Sequence, residues 1–517
     1  MTPAIRNTII RNTLYAIIGR IWTLLVGFLL VPYMIQMVGV ERFGIWSLLS
    51  ILVGYFALLD LGIGVSFTRF IAEEYTAGNT LEINRIVNSG FVFYLCAALP
   101  VIAIAFVGRE WIFSLLQINQ AAYPDAVLAY YGTLGIFFIT AMFSGFVSIL
   151  QGLQRIDLVN KIAVGVTVPN VIATIIFLNN GLRLDGLLWA NMITAGSGLL
   201  CSLVAAKRIF PHLRFSPAAF SRETMSRLLR FGLKMQFSKL VDLSTFQSDK
   251  AFVSYFAGVG SVTYYHLGTQ INWRIRDLPL LLLSSLLPAA SELNALKDRH
   301  RLFSIYERGT KYLAFVSIPL MLFLIATAPL IMELWLGPGY RLSATISQIL
   351  ALGYTFNVLV GVGSVIAAGM NEPDFQLRGA VITGLANVSL VLLLGHFFGV
   401  MGVAVGVTVS LTTGPSYFIY AFHRYLKQPI YPFLKGTIGF PLVLSLAGML
   451  VLWGVNSIFG SALQGRVING TVFLAEVLLF FPAYLILIMK SRYFDSVDRE
   501  LFVNNYLFSK LQRILHA

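Results

Sequence analysis

Three observations predict an all-α, polytopic membrane protein. The 517 residues are 57% hydrophobic and only 12% charged, and the mean hydropathy is +0.79. A soluble domain carries about 25% charged residues, because it needs a polar surface. Apolar runs of about twenty residues, the length that crosses a bilayer as a helix, recur fourteen times. Lys and Arg fall very unevenly between alternate connecting segments.

In chain order the runs are 12–38, 43–70, 86–107, 124–150, 162–180, 185–206, 230–256, 261–288, 310–332, 343–370, 379–397, 400–422, 434–459 and 468–489. The first follows Arg6 and Arg11 without a small-residue cleavage site, so it reads as a retained span. If the segments alternate across the bilayer, one side holds only Arg42, Arg109, Arg183, Arg341 and Arg466. The other side holds most of the remaining basic residues, including Lys207, Arg208, Arg214, Arg222, Arg227 and Arg230. This asymmetry places both termini in the cytoplasm and accounts for the net charge of +14 without nucleic acid.

The chain also reads as duplicated. A shift of 217 residues superposes Asp60-Leu61 on Asp277-Leu278, Gly152 on Gly369, Asp157 on Asp374 and Asn170-Val171 on Asn387-Val388. Each repeat holds six spans, an even number, so both have the same orientation, as in parallel transporter repeats. The expected layout is an N-terminal six-helix lobe at 1–206, a basic connection at 207–229 and a C-terminal six-helix lobe at 230–433. Helices 13 and 14 follow at 434–489, and a cytoplasmic tail at 490–517.

Charge inside the spans carries the chemistry. Lys234, Lys239, Asp242, Asp249 and Lys250 fall in span seven, and Arg274, Arg276 and Asp277 in span eight. Ionisable groups at membrane depth are costly and mark pathways or paired sites. At 100° per residue, Lys239 and Lys250 project within about 20° of each other, and Asp242 and Asp249 complete an arc of about 100°. Arg274 shares a face with Gln270 and Asp277, whereas Arg276 points elsewhere unless the kink near Pro279 redirects it. Arg20 and Asp60 lie deep in spans one and two. Cations outnumber anions in spans seven and eight, so a path for an anion is expected. Phosphate or pyrophosphate suits the planar fork of Arg and the point charge of Lys. The bland alternative is that Lys239 with Asp242, and Arg274 with Asp277, pair at i,i+3 and only hold helices together; such pairs add little net stability. Carboxylates able to couple transport to an ion are Asp60, Asp242, Asp249, Asp277 and Glu476.

No phosphate-binding Gly-rich loop, His-Glu-x-x-His or Gly-x-Ser-x-Gly occurs, so neither an enzyme nor a resident cofactor is expected. Cys96 and Cys201 lie in apolar runs and read as buried small hydrophobes.

Several stretches resemble the multidrug/oligosaccharidyl-lipid/polysaccharide exporter superfamily, closest to its polysaccharide-transporter branch of Wzx-like flippases. They are Gly39-Val40-Glu41-Arg42-Phe43-Gly44, Leu58 to Gly64 running on to Thr68 to Glu73, Phe231-Gly232-Leu233-Lys234, Asp249-Lys250 and Leu334-Trp335-Leu336-Gly337. The resemblance implies two six-helix lobes in a V with alternating access. The implied substrate is a polyprenyl-pyrophosphate-linked oligosaccharide, flipped across a bacterial inner membrane for O-antigen, capsule or exopolysaccharide synthesis. Substrate binding then falls to Arg20, Lys239, Lys250, Arg274 and Arg276. A polysaccharide polymerase and glycosyltransferases become possible partners, and H+ or Na+ possible coupling ions. Two alternatives are a cation-coupled multidrug exporter of the same fold and a non-transporting scaffold for glycan assembly. The exporter is disfavoured because span one carries Arg20 and no Asp or Glu between Asn12 and Val38.

Overall fold

The computed structural model describes residues 19, 22, 25–56, 60–216, 219–280, 283, 286–459, 465–496 and 498, with the backbone alone at 56, 234–246 and 457–459. Arg20 lies outside the described residues. Every regular element among them is helical. Apolar helices satisfy their own backbone, which lipid cannot do.

The chain divides into two compact units, Met1–Thr263 and Tyr264–Ala517. The first contains α1 (Leu25–Val38), α2 (Val40–Phe56), α3 (Ile63–Thr76), α4 (Thr80–Leu115), α5 (Asp125–Gly152), α6 (Ile156–Gly165), α7 (Thr167–Asn179), α8 (Arg183–Ile209), α9 (Arg222–Gln247) and α10 (Asp249–Ala257). α11 (Val259–Leu280) leads into the second unit, which holds α12 (Leu286–Ala295), α13 (Arg299–Leu336), α14 (Arg341–Leu359), α15 (Gly361–Gly369), α16 (Asp374–Leu426), α17 (Ile430–Leu434), α18 (Phe440–Phe459) and α19 (Arg466–Lys490). Nine helical stretches among the described residues are long and apolar enough to cross a membrane. One of them, α16, is two helices joined at Gly399, whose φ of 57° and ψ of −135° are not helical. Runs 43–70 and 230–256 are each interrupted, at Asp60–Gly62 and at Ser248, beside the charged residues they contain.

In the first unit α5 packs on α2, α3, α4 and α8. Ile63, Phe67 and Ile71, one turn apart along α3, meet Ile83, Ile86 and Val87 of α4, Ile149 and Leu150 of α5 and Leu228 of α9. The start of α3 crosses α9 with almost no space between backbones. A Cβ on Gly62 would lie 2.3 Å from the Gly232 carbonyl oxygen, and one on Gly232 would lie 2.4 Å from that of Leu61. Leu61 and Gly62 both have positive φ, 47° and 77°, and the Ser66 hydroxyl donates across the crossing to the Leu228 carbonyl at 2.8 Å. The basic connection is held by two amides one turn apart on α4. Asn84 donates to the His212 carbonyl (3.0 Å) and accepts from the Arg214 N–H (2.7 Å). Asn88 donates to the Arg214 carbonyl and accepts from the Ser216 N–H, both at 2.7 Å. Each carboxamide thus satisfies alternate peptide groups of the segment 212–216, which has no regular structure of its own to do so.

In the second unit α13 is the central helix, against α14, α15, α18 and α19. The segment after α19 folds back on it. Asp498, fully buried, accepts from Arg308 (2.9 Å), Lys311 (2.5 Å) and Tyr312 (2.5 Å). Asp495 pairs with the other arm of Arg308 at 3.0 Å, and Tyr493 donates to the carbonyls of Lys311 and Thr437. Burial alone would raise the Asp498 carboxyl, but the donors outweigh it and hold the group below its usual range.

Some local backbone features recur at the shift of 217 residues. Gly152 and Gly369 end α5 and α15, and Gln154 and Asn371 then take φ of 58° and 62°. The N–H of Gln154 bonds to the Gln151 carbonyl and that of Arg155 to Leu150; Asn371 to Ala368 and Glu372 to Ala367 repeat the pattern. Asn170 donates to Thr194 and Asn387 to Ser410. In the earlier part of each repeat the register differs. Gly39 pairs with Gly258 and Gly78 with Lys297, all at positive φ, and the caps Asn79 and Asp298 correspond. That register is two residues longer than the one pairing Asp60 with Asp277. Asp60 precedes a broken helix, whereas Asp277 sits inside the continuous α11. Cys96 and Cys201 are exposed, contrary to expectation: on membrane-spanning helices an apolar run faces lipid as readily as core.

Two outcomes follow from this packing. Gly232→Val forces the α3–α9 crossing apart and costs about 2 kcal/mol or more, read as a lower midpoint of thermal unfolding in detergent. Asp498→Asn costs about 3 kcal/mol at neutral pH, read in the same melt. Because the folded carboxyl titrates below its unfolded value, the wild-type contribution is complete above the ordinary carboxylate range and disappears as pH falls through the lowered one. The variant's melting point should therefore change less than the wild type's across acidic pH.

Candidate substrate site

α11 carries two arginines on different faces. Asn272, Trp273 and Arg276 face α14, on which Ser347, Tyr354 and Asn357 are spaced by seven and three residues. The Asn272 amide donates to the Ser347 carbonyl and hydroxyl, both at 3.0 Å. The Trp273 indole donates to the Tyr354 hydroxyl at 2.6 Å. Arg276 donates through Nε to the Asn357 side-chain oxygen at 3.0 Å, with its guanidinium 6.0 Å from the Tyr354 ring centre. The result is a polar seam inside the second unit that holds Arg276 half-buried. Arg274 is exposed, on the opposite side of the helix. The angular reading from sequence therefore holds: the two arginines diverge, and Pro279 does not bring them together.

Lys250 occupies a different environment. α9 stops at Gln247, Ser248 interrupts it, and α10 restarts at Asp249. Asp249 accepts from the Lys250 backbone N–H at 2.9 Å, as first-turn acids do. Both residues are buried, at 2% and 7% exposure, and the Lys250 ammonium donates to the Gln247 side chain at 3.3 Å. Ser254 anchors this short helix by donating to the Leu116 carbonyl. The side chains of Lys239 and Asp242 lie outside the described residues, so the four-residue stripe is represented by Asp249 and Lys250 alone. The interruption at Ser248 also means that one ideal helix does not describe run 230–256.

Asp60 lies where run 43–70 breaks. It accepts from the Tyr94 hydroxyl at 2.5 Å and from the Gly64 N–H at 3.3 Å, capping the open end of α3. The hydroxyls of Ser144 and Ser148 lie beside Gly64, and a Cβ there would crowd that of Ser148 at 3.1 Å. Asp277 is half-buried on α11. Glu476 is on α19, 3% exposed, and neither of its oxygens accepts a hydrogen bond from the described residues. Among the described residues no three His, Cys, Asp or Glu gather as metal ligands.

Sequence reasoning missed the groups that position these charges: Tyr94 on Asp60, Gln247 on Lys250, and Tyr354 and Asn357 on Arg276. Asn357 and Tyr354 lie 81 positions from their partners. The available signal was polar residues inside an apolar span, which marks run 343–370 as unusual without naming a partner.

The solved structures similar to this chain are transporters. One is titled as the lipid II flippase MurJ in an inward closed conformation, with a TM-score of 0.70 at 16% identity, covering 93% of this chain and 100% of that one. Another is titled as an inward-facing multidrug resistance MATE family transporter of the MOP superfamily, with a TM-score of 0.67 at 17% identity, covering 79% and 94%. At these identities the likeness establishes the fold. Among curated proteins, one from Shigella flexneri named "Putative O-antigen transporter" is 20% identical over 414 residues, 78% of this chain and 95% of that protein. The family model described as polysaccharide biosynthesis protein matches residues 9–294, more than half of the chain. The chain therefore belongs to that family, the polysaccharide-transporter branch of the multidrug/oligosaccharidyl-lipid/polysaccharide exporter superfamily.

Proposed function

We propose that this protein flips a polyprenyl-pyrophosphate-linked oligosaccharide across a bacterial inner membrane by alternating access, for surface polysaccharide synthesis. Family membership supports this reading, as does the similarity along most of the chain to a protein named for O-antigen transport. The observation that carries it is the pair of arginines on α11, Arg274 exposed and Arg276 positioned by the Asn357 side chain at its Nε. An arginine fork suits the oxygens of a phosphate, which it binds in bidentate geometry. Fourteen spans with both termini in the cytoplasm complete the picture, and helices 13 and 14 stand outside the duplicated part.

Arg20, Lys239 and Lys250 are further contacts in this proposal. Lys250 would have to leave Gln247 to reach a substrate, so it engages in a different conformation. Asp60, with its phenol donor and helix-end N–H, is the best-formed coupling candidate for H+ or Na+. Polymerase and glycosyltransferases act before and after this step.

Arg274→Glu and Arg276→Glu should each reduce surface polysaccharide at least about tenfold in cells dependent on this protein, at unchanged protein level. Arg276→Lys should retain part of the activity, since charge survives but the fork does not. Normal surface polysaccharide in both Glu variants would overturn the assignment.

A further inference from the structure

The second unit contains a cavity that the α11 arginines do not line. Its volume is about 1210 Å³, and its walls come from α13, α18, α19 and the turn at Gly337–Arg341. That exceeds the roughly 300–1,000 Å³ typical of small-molecule sites. The space arises from small residues on facing helices: Ala447 and Gly448 on α18, Ala475 and Ala483 on α19. Gly448 is needed for this packing, since a Cβ there would lie 2.7 Å from the Phe480 ring.

Most of the wall is apolar, and one buried group in it is a carboxyl. Glu476 lines the cavity, nearly fully buried, and among the described residues no donor is within ordinary hydrogen-bond distance of either oxygen. The amides of Asn456 and Asn469 line the same space. Asn469 is two helical turns from Glu476 on the same face of α19. An isolated carboxylate in an apolar wall is strongly penalised unless a cation or a proton compensates it. A proton needs no cavity of this size. An anionic headgroup would be repelled, which separates this site from one that takes phosphate.

We propose that this cavity binds a hydrophobic organic cation dissolved in the bilayer, with its ammonium against Glu476 and its apolar body along α18 and α19. The ammonium supplies charged donors to the Glu476 oxygens, and the small-residue faces accept the alkyl or aromatic body. Glu333 and Arg341 stand in the wall at the polar end, where the turn after α13 lies.

Trp453 is part of the wall and provides a local reporter. The purified full-length protein in phosphatidylcholine nanodiscs is titrated with a pyrene-labelled alkylamine and with the pyrene-labelled alcohol of equal chain length. Saturable energy transfer from tryptophan to pyrene is expected for the amine and should be much reduced in Trp453→Phe. Glu476→Gln should weaken the amine at least about tenfold, as loss of a charged hydrogen bond implies, and leave the alcohol unchanged. Ala483→Trp, which fills the cavity without touching the carboxyl, should abolish saturable binding of the amine. Equal binding of amine and alcohol would mean that Glu476 is simply protonated, and the proposal falls. It falls equally if Glu476→Gln binds the amine like the wild type, or if Ala483→Trp leaves the transfer intact.

Discussion

Charge can stay inside a lipid-embedded helix only if something other than water accepts it, and this requirement organises much of the structure. Helix interruptions and buried charges occur together. Asp60 stands in the break that precedes α3, and Asp249 with Lys250 restarts a helix after Ser248. An interrupted helix exposes N–H groups that an acid can cap, and an acid in lipid needs such donors. Each defect thus supplies what the other lacks. Asp60 takes one donor from the backbone and one from Tyr94. Asp249 takes the N–H of the next residue.

The same logic sets the Asp498 cluster apart from the charges of the proposed site. The Asp498 cluster uses opposite charges in direct contact, with two cations and a phenol on one carboxylate. Such a site is closed: every strong donor meets an acid, and it fastens the chain after α19 to the central helix. The Arg276 seam bonds Nε to a neutral amide and stacks beside a tyrosine. Its Nε is thus oriented by a dipole and not by a charge. Arg274, exposed on the other face, is less constrained still.

Much of this was legible in the amino-acid sequence, and the limits have physical causes. Apolar runs and uneven basic residues indicate a polytopic helical protein because bilayer thickness and charge cost act locally along the chain. The similarity at a shift of 217 was legible through Gly152 and Asn170 because they sit at a local turn and a short-range helix bond that their counterparts repeat. The Asp60–Asp277 pairing came from identity alone, and the backbone follows a register two residues longer there. The angular argument for span seven required one continuous helix and so could not anticipate Ser248. Cradles such as Asn84 and Asn88 around 212–216, or Asn357 on Arg276, depend on residues far apart in the chain. No periodicity encodes such partners.

A carrier must also release what it holds, and in the proposed function this bears on the bond between Arg276 and Asn357. The bond runs from Nε to a neutral oxygen, and it need not break for a phosphate to meet the guanidinium. It then contributes equally to the loaded and empty states and drops out of the difference between them. Binding is then strong enough to select an anion from the membrane surface and weak enough to reverse on the other side, as repeated turnover requires.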